Sequence, residues 1–115
     1  MKEKNEKYTP MLASACVEVL VLHLLREKPM YTYDLVSEIE RASEGRLSAP
    51  KLYNTMVRLR TADLVAESEQ KIVGNRVRVY YALTGKGVER LRESTELLQF
   101  LVGVLGEEKI VGGET

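Results

Sequence analysis

Apolar positions recur along this chain in three rhythms, each predicting a different kind of element. Between residues 11 and 25 they are almost continuous, with Ser14, Glu18 and His23 as the polar interruptions. Thr9-Pro10 reads as the N-cap and first position of a helix, because proline loses nothing where the backbone N–H has no partner. Glu27-Lys28-Pro29 ends it. A helix apolar around its whole circumference, in so small a chain, needs a second covering surface, which implies a subunit partner.

The second rhythm is amphipathic. Leu35, Val36 and Ile39 share one face of a short helix that Thr32 is predicted to cap and that stops at Ser43-Glu44-Gly45, where glycine permits a left-handed exit. Leu47 plugs the turn, and Ser48 caps a further helix over residues 48–60. In that helix Leu52, Met56 and Leu59 make an apolar stripe, while Lys51, Asn54, Thr55 and Arg58 make a polar one. Two short helices around a glycine-containing turn, the second with a bare basic face, form a helix-turn-helix.

Alternation is the third rhythm. Residues 64–72 and 76–83 read as strands joined by Val73-Gly74-Asn75, whose Gly-Asn pair tolerates the positive φ of a tight hairpin. Val77, Val79, Tyr81 and Leu83 point one way, and Arg76, Arg78 and Tyr80 the other. This is a wing with a basic, aromatic outer face. Thr84 caps the last helix, Gly85-Lys86-Gly87 gives it a flexible start, and Val88, Leu91, Thr95, Leu98, Val102 and Leu105 recur at coiled-coil spacing. Leu97, Phe100, Leu101 and Val104 add a second apolar flank, more than one small core can cover.

The expected fold is therefore mainly α with a β-hairpin wing, a winged helix-turn-helix whose N- and C-terminal helices form a homodimer interface. Residues 1–8 are expected to be a tail, 9–84 the DNA-binding domain, 85–106 the dimerisation helix and 107–115 a loose end. A length of 115 residues fits one domain. Seventeen Lys and Arg balance seventeen Asp and Glu, so a polyanionic partner is signalled only locally. Arg46, Lys51, Arg58 and Arg60, and again Lys71, Arg76, Arg78 and Lys86, form two runs each free of carboxylates, with Asp63, Glu67 and Glu69 between them.

Other classes find little support. A single histidine, a single cysteine and no nucleophile, phosphate-loop or zinc motif leave nothing to build an enzyme or a metal site, and no cofactor is expected. His23 and Cys16 both sit in the apolar first helix, where packing roles are the better account. One cysteine suits a reducing compartment. No leader-like segment is evident, and the 11–25 stretch is too short and polar to span a bilayer, so a cytoplasmic protein without a membrane partner is expected.

Tyr33-Asp34-Leu35, Leu47-Ser48-Ala49-Pro50-Lys51-Leu52-Tyr53, Arg58-Leu59, Gly74, Arg78, Tyr80-Tyr81-Ala82-Leu83-Thr84 and Gly87 together resemble the PadR family of bacterial winged helix-turn-helix regulators. That resemblance implies a homodimer binding an inverted repeat in double-stranded DNA, usually as a repressor. It places Ser48, Lys51, Tyr53, Asn54 and Arg58 on the DNA side of the recognition helix, and Arg76 and Arg78 on the wing. It looks like the compact subgroup with one short C-terminal helix. For a small hydrophobic or aromatic effector, the candidate site is an interface pocket lined by Met11, Ala15, Phe100 and Val104. The alternatives are that no effector acts, or that the fold is a protein-binding module without DNA.

Overall fold

The computed structural model describes residues 7–48 and 52–113, with side chains of the last helix described as far as Gly106. In chain order the elements are α1 (Pro10–Glu27), β1 (Met30–Tyr31), α2 (Thr32–Ala42), α3 (Leu52–Thr61), β2 (Val65–Val73), β3 (Arg76–Leu83) and α4 (Gly85–Gly113). This is a winged helix. The core is one cluster to which every helix contributes: Val17, Val21, Leu22 and Leu25 from α1, Leu35 and Ile39 from α2, Leu52, Met56 and Leu59 from α3, and Leu91 from α4.

Helix ends follow the local chemistry, with two departures from expectation. Thr9 caps α1, its hydroxyl accepting from the Leu12 N–H at 3.4 Å. Thr32, expected to cap α2, is instead its first residue; Tyr31 occupies the cap position without a side-chain hydrogen bond. The cause is a short strand that the sequence did not signal. Met30 and Tyr31 pair antiparallel with Tyr81 and Tyr80, which fixes Tyr31 in extended backbone just before the helix begins. At the other end of α2 the left-handed residue is Glu44 (φ 54°), with Gly45 (φ 79°) following it. The Gly45 N–H reaches the Glu40 carbonyl at 2.9 Å, closing a Schellman turn.

The sheet has the order β1-β3-β2, so the wing's return strand is central. β2 pairs with β3 from Val65↔Leu83 to Val73↔Arg76, with a bulge at Ser68 between Glu67 and Glu69. Gly74 (φ 55°) and Asn75 (φ 69°) are both left-handed, as a two-residue hairpin turn requires. A Cβ at Gly74 would touch nothing within 4 Å, so substitution there tests backbone strain alone. Gly74→Val is expected to cost about 1–2 kcal/mol, read as a lower urea midpoint with unchanged slope. An unchanged midpoint would mean that the turn can adopt another conformation.

α4 runs to Gly113, past the 106 boundary expected from sequence, and its 29 residues make it the longest element. Gly103 and Gly106 did not end it. A glycine inside a helix costs about 1 kcal/mol relative to alanine, which the helix-favouring Glu107-Glu108-Lys109 run can offset. The C-terminal helix is thus single but not short. No helix among the described residues is long and apolar enough to cross a membrane.

Candidate nucleic-acid interface

The buried stripe of α3 decides which of its residues can touch a partner. Leu52, Thr55, Met56 and Leu59 all face the core. Thr55 is 1% exposed, so its assignment to the polar face is corrected: at 100° per residue it lies only about 40° beyond Leu59, at the edge of the buried stripe. Its hydroxyl is compact enough to pack there. Opposite the stripe stand Tyr53 (73% exposed), Asn54, Val57 (44% exposed) and Thr61. Val57 was missed by charge-based reading, although the helical wheel alone sets it between Tyr53 and Thr61. An exposed aliphatic side chain here suits contact with a thymine methyl.

Ser48 is half-buried in the segment leading into α3. Lys51 lies outside the described residues, as do Ala49 and Pro50.

The local run of cations that looked bare is largely matched by carboxylates from elsewhere in the chain. Arg46 pairs with Glu44 at 2.9 Å, Arg58 with Glu18 at 3.3 Å and Arg60 with Glu67 at 3.5 Å. Arg60 also lies over the Tyr81 ring, 5.6 Å from its centroid, which stitches α3 to the wing. On the wing Lys71 pairs with Glu69 at 3.6 Å. Arg78 is drawn inward, hydrogen-bonded to the Tyr31 hydroxyl and 4.6 Å above its ring. Arg76 is exposed at the wing tip and pairs with no carboxylate among the described residues.

Beside the wing, Tyr31 stacks on Tyr33 (centroids 6.1 Å) and tilts against Tyr80 (5.3 Å). With Thr32, Arg76, Val77, Arg78 and Val79, Tyr31 and Tyr33 line an open depression of about 430 Å³. The first turn of α2 opens at the same place. Arg76, Arg78 and the exposed Tyr33 beside that first turn are side chains suited to a phosphate backbone. Tyr31, Tyr33 and Thr32 were not among the residues expected from sequence. The signal was available in the Tyr-Thr-Tyr spacing, but only the β1 pairing brings it beside the wing.

Met11, Ala15, Phe100 and Val104 are all exposed, Met11 at 84% and Phe100 at 67%. They sit on the halves of α1 and α4 that extend beyond the core, so within one chain they form open surface. The solvent face of α4 is marked by Arg92, which bonds Glu96 at 2.7 Å and also Glu89. The hydrogen bond from Arg92 holds the Glu89 carboxyl below its ordinary range.

A helix-turn-helix with an adjoining wing, exposing an amide, an aliphatic and a tyrosine on its second helix, defines a winged-helix nucleic-acid binder. The sequence profile described as "Transcriptional regulator PadR-like family" matches residues 21–93. A PadR family transcriptional regulator from Eggerthella lenta DSM 2243 is 34% identical, with 84% of each chain covered and a TM-score of 0.70. A PadR-like transcription factor from Bacteroides fragilis is 27% identical over 84% of this chain and 93% of that one, with a TM-score of 0.69. A PadR-like regulator from Bacillus cereus shares the fold at 19% identity and a TM-score of 0.73, over 84% of this chain and 94% of that one. No curated protein matches the chain. The chain belongs to the PadR-like family and is a DNA-binding transcriptional regulator, not an enzyme.

Proposed function

We propose that this chain is a cytoplasmic repressor that binds an inverted-repeat operator in double-stranded DNA as a homodimer. The observation that carries this is the exposed face of α3, with Tyr53, Asn54 and Val57 in line, beside a wing that ends in Arg76. In this reading Asn54 and Val57 meet base edges, and Ser48, Lys51, Tyr53, Arg76 and Arg78 position the backbone, while Arg58, at the flank of the same face, is held by Glu18. Exposed apolar surface on α1 and α4 supports the dimer. Between subunits, Met11, Ala15, Phe100 and Val104 then enclose a site for a small hydrophobic or aromatic effector that releases DNA.

Because so many cations are already paired, few remain to displace counterions, and binding is expected to depend only shallowly on salt. Arg76→Ala should lower the salt slope by about 1.8 for a dimer, two contacts at about 0.9 each. Fluorescence anisotropy with fragments of the protein's own promoter, at several salt concentrations, reads this out; adding aromatic compounds to the same assay tests release. A wild-type protein that binds promoter and scrambled DNA equally would point instead to a protein-binding module.

A further inference from the structure

Glu18 is the one carboxylate among the described residues that joins the recognition helix to the helix carrying the exposed apolar face. One of its oxygens accepts from Arg58 of α3 and the other from Arg90 of α4, each at 3.3 Å. Its side chain is 22% exposed, while those of Arg58 and Arg90 are 49% and 45% exposed. Two features make this more than a surface ion pair. Glu18 follows the buried Val17 on α1, so its position is set by the core. Arg58 lies one turn beyond Asn54 on α3, at the edge of the face that meets DNA.

We propose that Glu18 limits the strength of DNA binding by withholding Arg58 from the phosphate backbone. The inference rests on the reading that α3 enters a major groove. A guanidinium beside a groove-bound helix ordinarily takes a phosphate oxygen. Here it already has an anionic acceptor that needs no association step, and Arg90 keeps that acceptor in place from the other side. The local charge that DNA meets is therefore a neutralised pair with a carboxylate nearby, instead of a free cation. Arg58 is held in reserve.

Glu18→Gln keeps the side-chain shape and removes the charge. Each protomer then gains one phosphate contact, so the salt slope for a dimer steepens by about 1.8, and affinity falls about twelvefold more between 50 and 200 mM salt. A phosphate contact carries no sequence information, so promoter and scrambled duplexes tighten by the same factor at low salt. Arg58→Ala in the wild-type background leaves the slope unchanged, whereas in the Glu18→Gln background it abolishes the gain. The measurement is anisotropy titration of the full chain and the three variants on both duplexes, with thermal unfolding as the check on folding. An unchanged slope in a folded Glu18→Gln protein overturns the proposal. So does a slope already reduced by Arg58→Ala alone, which stands as an independent test if Glu18→Gln does not fold. Failure of the wild type to prefer its promoter defeats the operator reading instead, and the two duplexes still report on Glu18.

Discussion

Alanine at position 87 is expected to lower stability by about 2–3 kcal/mol, although alanine is the better helix former. Gly87 is buried in the first turn of α4, and a Cβ there would lie 2.1 Å from the Leu64 carbonyl oxygen and 2.7 Å from Leu83 Cδ1. Leucine can turn away; the carbonyl cannot. It accepts the Thr84 N–H at 3.0 Å, while the Thr84 hydroxyl donates to the Asp63 carbonyl at 2.7 Å and accepts from the Gly87 N–H at 3.0 Å. That corner fixes the exit of α3, the end of the wing and the start of α4 against one another. Overpacking costs about 1–3 kcal/mol and a disturbed hydrogen bond about 0.5–1.5 kcal/mol, against a propensity gain of at most about 1 kcal/mol. The clash wins. A melting temperature lower by roughly 10 °C is the readout. Gly85→Ala is the control, because a Cβ there meets nothing within 4 Å. Equal melting of the two variants would refute the close-approach account.

Gly87 also marks the limit of what the sequence disclosed. Its letters, Gly85-Lys86-Gly87, suggested flexibility, because a glycine needed for close approach and one needed for freedom look alike until the opposing carbonyl is placed. The helices, the hairpin and its Gly-Asn turn were legible because period and turn chemistry are local properties. So were the caps at Thr9 and Thr84. β1 was not, since two residues carry no period and pair only with a strand fifty positions away. For the site, exposure of Asn54 agreed with the polar stripe and that of Tyr53 with the family resemblance, although the stripe alone set Tyr53 at the edge of the core; Thr55 showed that polarity is a poor guide to facing when a small hydroxyl can be packed. The basic runs misled most. Glu18 and Glu67 pair with Arg58 and Arg60 from positions that only the fold reveals, and Glu44 pairs with Arg46 from two residues outside the run.

Glutamates at both Leu98 and Leu101 are expected to dissociate the proposed dimer and to weaken operator binding at least a hundredfold. Leu97, Leu98, Phe100, Leu101, Val102, Val104 and Leu105 are each at least 41% exposed in the single chain. At 100° per residue they span an arc of roughly 200°, twice the stripe that packing on one surface consumes. In the proposed dimer two surfaces would cover α4, the exposed Met11 (84%) and Leu12 (55%) of a partner's α1 supplying the second beside a partner's α4. Fully burying such a side chain from full exposure contributes about 1.5–3 kcal/mol, and these are already about half buried, so the fourteen of two chains together are what would offset the ~4–15 kcal/mol cost of association. Two carboxylates per chain oppose this with like charges in a desolvated contact. Sedimentation equilibrium should then report a monomer at micromolar concentration with the helical signal of the winged domain retained. Tyr53, Asn54 and Arg76 remain in place on each monomer, so residual DNA binding should keep about half the salt slope while losing the gain from linking two half-sites, about 10²–10⁴-fold. A variant that stays dimeric would move the interface away from α4. A wild-type monomer at the same concentration would remove the two-half-site mechanism altogether, because one reading helix touches too few base pairs to select a single operator in a genome.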